Sequence, residues 1–125
     1  MQARVLNDDR PAIRFADQQP YIYGTPWSGS KTLYFNGSAP LQAVVFLEQA
    51  PENQITWVSS AQAAAKIIPR CFLPYYDKTI MEMCLHTLSE VLLGVGVYSL
   101  KCRPDREAVE ILQQCLLHQV DREIF

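Results

Sequence analysis

Ala43-Val44-Val45-Phe46-Leu47 is a continuous apolar run, rich in β-branched residues. Such a run reads as a strand buried on both faces, in the centre of a sheet covered by helices. Downstream, the loop Gln49-Ala50-Pro51-Glu52-Asn53-Gln54 leads to a second strand, Ile55-Thr56-Trp57-Val58. Ser59 can cap the next helix, with Gln62 three residues on completing a capping-box pattern. That helix is alanine-rich from Ala61 to Ile68 and ends or kinks at Pro69, where the ring removes a backbone donor. A longer helix is predicted from Lys78 to Leu93. Ile80, Cys84, Leu88, Val91, Leu92 and Val95 recur at helical spacing for an inward face, opposite Glu82, His86, Ser89 and Glu90. Val95 to Leu100 reads as a further strand. Asp105 caps a last helix over Arg106–Leu117, with Val109, Leu112 and Leu116 inward, and residues 118–125 form a tail.

Upstream the chain is β-rich. Ala3 to Leu6 is a short β run, and Ile13 and Tyr21-Ile22-Tyr23 suggest a small antiparallel hairpin around Asp17-Gln18-Gln19-Pro20. Residues 24–40 hold Gly24, Pro26, Gly29 and Gly37 with several serines and an asparagine, and read as one long loop. Long loops inside compact domains are commonly functional. The whole order predicts an α/β (α+β) fold, a mixed sheet with a few antiparallel edges and about three helices.

With 125 residues, 49% of them apolar, the chain has the means for a folded core and the length for one domain at most, 1–125. The net charge is −2 and the basic residues are scattered, with Arg4, Arg10 and Arg14 set among Asp8, Asp9 and Asp17. That pattern argues against a nucleic-acid or anionic-membrane footprint. Cys71, Cys84, Cys102 and Cys115 form no C-x-x-C pair and do not cluster with His86 or His118, against a zinc site. No basic segment followed by an apolar one opens the chain, and Val91–Tyr98 is too short an apolar run to span a bilayer. A cytoplasmic protein with no membrane association is the expectation.

Asn7-Asp8-Asp9-Arg10-Pro11 directly follows Val5 and Leu6, and carries two readings. Asx residues before a proline are ordinary turn chemistry, their side chains bonding local backbone. Adjacent carboxylates at a strand end can also hold a divalent metal and accept a proton, because α/β sheets present ligand residues there. Tyr23-Gly24-Thr25-Pro26-Trp27-Ser28-Gly29 follows, a loop able to approach a phosphate or a substrate backbone, with Lys31 next to it as a possible phosphate contact. A turn with a packing tryptophan and a solvated lysine is the bland alternative. His86, between Glu82 and Glu90, suits exposed ion pairing, and His118 a helix-terminal interaction. No G-x-x-x-x-G-K-[ST] phosphate loop occurs in the chain. The motifs read as the second half of a phosphoryl-transfer domain.

Leu6-Asn7-Asp8-Asp9-Arg10 resembles the strand-end acidic motif of the HPr serine kinase family, which shares its fold with phosphoenolpyruvate carboxykinases. Tyr23–Gly29, Ser38-Ala39-Pro40-Leu41, Phe46–Asn53 and Leu100-Lys101-Cys102-Arg103-Pro104-Asp105 resemble a divergent bacterial branch of HPr kinase-like proteins, over about residues 3–117. The resemblance implies a partial kinase-like fold, Asp8 as catalytic base, Asp9 at the metal site, and Gly24, Thr25, Trp27, Ser28, Gly29 and Lys31 as a phosphate or substrate loop. The kinases' Glu-x-Arg-Gly segment corresponds here to Tyr21-Ile22-Tyr23-Gly24, which carries no acid. The family's phosphate loop and its lysine have no counterpart in this chain.

Phosphoryl transfer depends on a positioned triphosphate. The resemblance therefore implies a truncated or split kinase-like domain, inactive alone and holding no cofactor alone. It would take Mg²⁺ and ATP only when completed by a missing half or a partner bearing the phosphate loop. The alternative is a non-catalytic binding or interaction module on the same fold. In either case bare strand edges and apolar faces left by the missing half lead to the expectation of a homo-oligomer.

Overall fold

Asp17 and Gln18 reverse the chain in the left-handed region, at φ 51° and 61°. Two consecutive positive φ angles are what a two-residue type I′ hairpin turn requires, a turn whose twist matches that of the flanking strands. The turn joins β1 (Ala12–Ala16) to β2 (Gln19–Tyr23), antiparallel, with Ala16 opposite Gln19 and Ala12 opposite Tyr23. The hairpin expected from the sequence is present, with a tighter turn. β3 (Ser38–Pro40) pairs with the other edge of β2, Ser38 opposite Tyr23, so the loop read as 24–40 ends at Gly37. Buried Leu41 closes this sheet by donating its N–H to the Pro20 carbonyl at 2.9 Å.

The computed structural model describes residues 4–31 and 33–124, with side chains as far as residue 117. Ala3, the predicted start of the first β run, lies outside them, as does the side chain of His118. Arg4–Leu6 joins no sheet. Asn7 makes an isolated antiparallel bridge to Tyr34, flanked by Phe35 N–H to the Leu6 carbonyl at 2.9 Å and Asp8 N–H to the Leu33 carbonyl at 3.0 Å. Only the short segment 33–35 lies opposite, and it does not extend the bridge into a ladder.

The chain divides into two compact units, Met1–Leu41 and Gln42–Phe125. The second unit holds β4 (Ala43–Gln49), β5 (Gln54–Trp57), α1 (Ser60–Ile67), a 3₁₀ turn (Ile68–Arg70), α2 (Lys78–Gly94), β6 (Gly96–Cys102) and α3 (Arg106–Ile124). Among the described residues the architecture is thus mixed α/β, with two three-stranded sheets and three α-helices. The single mixed sheet expected from the sequence is replaced by two because β1, β2 and β3 pair only with one another.

Strand order in the second sheet is β4-β6-β5, with β6 parallel to β4 and antiparallel to β5. This corrects the expectation for Ala43–Leu47. β6 is the central strand, and β4 lies at an edge with Leu47 73% exposed. An edge strand leaves its far end beyond the cover of the helices, whatever its composition.

Strand alternation puts Val44, Phe46 and Val97 on one face, since Val44 is in register with Val97 and Phe46 with Ser99. There Val97 joins Val58, Ala63 and Leu92 in the core, with Val44, Phe46, Ala64, Ile67 and Leu88 packed around them. Ala63 is fully buried, its small side chain allowing α1 to lie close. Burying a side chain such as Val91, 1% exposed, stabilises by about 1.5–3 kcal/mol. Leu100, which alternation points the other way, is also buried, and α3 lies against β5 and β6.

Each helix begins on a side-chain cap, Ser59 and Asp105 as the sequence predicts and Asp77 in addition. Ser59 Oγ accepts from Gln62 N–H at 3.3 Å, Asp77 Oδ1 from Ile80 N–H at 3.0 Å, and Asp105 Oδ1 from Ala108 N–H at 3.1 Å. Such caps satisfy donors that the first helical turn leaves orphaned. The inward faces are rotated from expectation at two places. Ile80 is 43% exposed, the contacts of α2 being concentrated at Val91 and Leu92 near its end, while Val95 lies beyond the helix. In α3, Ala108 is buried and Val109 faces out. That helix also runs on to Ile124, through most of the stretch read as a tail. No helix among the described residues is long and apolar enough to cross a membrane.

Candidate functional site

Asn7 organises the acidic segment. Its Oδ1 accepts the N–H of Asp9 at 2.7 Å and of Arg10 at 2.6 Å, closing the local turn that Asx residues favour. Its Nδ2 donates to the carbonyls of Thr25 at 2.9 Å and Trp27 at 3.1 Å, and to Thr25 Oγ1 at 3.2 Å. The amide is both donor and acceptor, so one side chain ties the acidic turn to the loop downstream. Thr25 returns the connection by donating Oγ1–H to the Arg10 carbonyl at 2.6 Å.

Asp8 holds the other end of the same loop. Oδ1 accepts Gly29 N–H at 2.7 Å and Oδ2 accepts Lys31 N–H at 3.2 Å. These bonds favour the charged carboxylate, and the Gly29 N–H is the largest cause holding its pKa below the ordinary aspartate value, against a smaller opposing effect of desolvation. Asp9 points elsewhere, to Arg10 Nε at 3.4 Å. The two adjacent carboxylates therefore have different partners.

Close approach requires one glycine and favours a second. A Cβ on Gly24 would stand 1.8 Å from the Phe35 carbonyl oxygen and 2.6 Å from that of Leu6, both backbone atoms that cannot yield. A Cβ on Gly29 would come within 3.1 Å of Asp8 Oδ2 and 3.2 Å of Asp9 Cβ. Gly24 N–H also donates to the Gly37 carbonyl at 3.0 Å. The predicted site residues Asp8, Thr25, Trp27, Gly29 and Lys31 thus belong to one bonded arrangement with Asn7, the last three through their backbone, while Gly24 bonds to Gly37 and the Asp9 side chain to Arg10. Ser28 lies within the loop, half-buried, and Trp27 is 63% exposed.

Among the described residues, no group of three or more His, Cys, Asp or Glu side chains gathers at one point. His86 pairs with Glu90 at 3.1 Å on the exposed side of α2, as its spacing predicts. A second polar cluster was not anticipated. Asn53 donates to Asp105 Oδ1 at 3.0 Å and accepts Arg103 N–H at 2.8 Å, while Arg103 Nε contacts Asp105 Oδ2 at 3.0 Å. It joins two of the short motifs on which the family resemblance rests, and its role within this unit is to fix the β6–α3 connection. In both clusters an asparagine amide, donor and acceptor at once, ties together segments distant in sequence.

Compared with protein-family models, with curated proteins and with solved structures, the chain matches none.

Proposed function

We propose that this chain is a binding module built on the second half of an HPr serine kinase-like domain, without phosphotransferase activity of its own. The observation that carries this reading is the use made of Asp8. A general base must offer its carboxylate to a substrate hydroxyl, with a pKa near working pH. Both oxygens of Asp8 instead accept backbone N–H groups, and those bonds depress its basicity. Asp8 serves as an anchor, and the loop it anchors presents Trp27 outward, a large apolar surface of the kind that contributes most to recognition. The four cysteines described are all free, which suits a reducing compartment and supports a cytoplasmic location.

The second reading is a split enzyme, in which another segment or polypeptide supplies the phosphate loop with ATP and Mg²⁺. What favours it is that the acidic motif and the glycine loop lie in direct contact, as catalytic parts of one site would. Asp8 would then act as base and Asp9 as metal ligand once the site is completed.

Calorimetric titration of ATP-Mg²⁺ and ADP into the purified chain separates the two. A binding module of this kind has no nucleotide affinity tighter than the millimolar range, about −4 kcal/mol. Micromolar binding by the chain alone would overturn the proposal.

A further inference from the structure

The sheet of the second unit ends on an open strand. β4 pairs with β6 along one edge, and no strand among the described residues pairs with the other. The unpaired N–H and C=O groups of an edge strand are a template for another strand. Natural edges are blunted by proline, lysine, bulges or short length. β4 runs seven residues, Ala43–Gln49, with no proline and no lysine, and Glu48 is its single charge. The opposite edge, β5, has only four residues to offer.

Two cations gather over this strand. Lys66 Nζ lies 5.6 Å and the Arg70 guanidinium 5.5 Å from the centroid of the Phe46 ring. Arg70 Nη1 also donates to the Lys66 backbone carbonyl, which ties the guanidinium to the end of α1. By alternation Val44, Phe46 and Glu48 share the face on which they stand. The edge therefore carries an acid at one position and two cations above the residue two places before it.

We infer that β4 pairs with β4 of a second copy of this chain, antiparallel and centred on Phe46, to make one continuous six-stranded sheet from two three-stranded ones. A two-fold interface must be self-complementary, residue i meeting j and j meeting i. Centred on Phe46, Glu48 of one copy opposes Val44 of the other, and Leu47 opposes Val45. Diagonal neighbours across an antiparallel pair lie about 7–8 Å apart, within reach of long side chains. Glu48 is thus diagonal to the second copy's Phe46, beneath its Lys66 and Arg70, and the two-fold repeats the contact. The exposed Leu47 gains cover. No like charges face each other along the paired strands. The argument rests on the sheet edge and its charges alone, and stands whether or not the kinase-like reading does.

Two variants test it through their mixture. Glu48→Lys and the double change Lys66→Glu, Arg70→Glu alter exposed side chains, so circular dichroism should show both folded. Light scattering on the unaltered chain at high micromolar concentration should give a dimer, about twice the 14.2 kDa of one chain. Each variant alone should shift to monomer, its dissociation constant raised by about tenfold or more because two symmetry-related contacts become repulsive at once. Mixed in equal amounts, the variants should form a heterodimer, since both contacts are then again between opposite charges. Only contacts between copies can produce that rescue. A monomeric unaltered chain, a dimer that persists in both variants, or a mixture that stays monomeric would each overturn the inference.

Discussion

The carboxylate of Asp8 and the backbone of Gly29 are made for each other: Oδ1 accepts the Gly29 N–H at 2.7 Å, and a Cβ on that glycine would sit 3.1 Å from Oδ2. The absence of a side chain at residue 29 lets the carboxylate come close, and the bond in turn fixes where the loop turns. Glycine and acid, read separately in the sequence as two motifs, form one structural device. Asn7 completes it from the other side.

Asn7→Ala is expected to be the most disruptive single truncation in this segment. It removes two acceptor bonds within the turn and the donors to Thr25 and Trp27. Net hydrogen-bond contributions of about 1 kcal/mol each, partly recovered through water, give an expected loss of about 2 kcal/mol. Amide exchange should quicken from Thr25 to Gly29 in the same variant. Unchanged exchange there would mean that Asn7 does not hold the loop.

Gly24 and Gly29 should respond differently to alanine. At Gly24 the added carbon meets two backbone carbonyl oxygens, so the chain itself must move, at a cost of about 3 kcal/mol or more. At Gly29 the nearest atom is the Asp8 carboxylate oxygen, which can swing aside. Asp9 Cβ at 3.2 Å calls for a backbone adjustment of only a few tenths of an ångström, so the cost should stay at about 1 kcal/mol. Denaturant midpoints of the two variants check the order. Equal losses would contradict this account of the loop.

The hairpin turn offers a gain. Asp17 and Gln18 both sit at positive φ, and while Asp tolerates that region, Gln carries a full side-chain penalty there. Gln18→Gly should stabilise the first unit by about 0.5–1 kcal/mol, the relief of strain exceeding the added flexibility of the unfolded chain. A lowered midpoint would show that the Gln18 side chain contributes more than its backbone costs.

What could be read from sequence divides by range. Ser59, Asp105 and the Asp17–Gln18 reversal were legible because each is settled within four residues, by a cap or a turn. The place of Ala43–Leu47 was not, because strand order is set by partners far along the chain. An apolar run at a sheet edge has the same composition as one at its centre, and the central strand proved to be Gly96–Cys102. Ile80 follows helical spacing but falls where α2 has little to pack against, and Val109 lies on the side of α3 turned away from buried Ala108. In the candidate site the acidic pair and the glycine loop were both visible. Their mutual hydrogen bonds, and the part played by Asn7, depend on folding residues 7 and 25–31 together, which no local pattern announces.

Acid should weaken the fold through two identified carboxylates. Asp8 and Asp105 both titrate below the ordinary aspartate value of 3.8, chiefly because of the N–H groups of Gly29 and Ala108 respectively. A pKa lowered by folding means that the unfolded chain binds protons first as pH falls. The stability these groups contribute is therefore fully present above the unfolded value, and is lost as pH drops through 3.8 toward the folded values. Urea midpoints should stay level from neutral pH to about pH 5 and fall below it. Asp8→Asn and Asp105→Asn each remove one titrating group while keeping an oxygen acceptor, so each should make the acid decline shallower. Their partners do not overlap, Gly29 and Lys31 for one, Ala108, Asn53 and Arg103 for the other, so the double variant should be shallower still. A decline as steep in the double variant as in the unaltered chain would place the acid sensitivity on other groups.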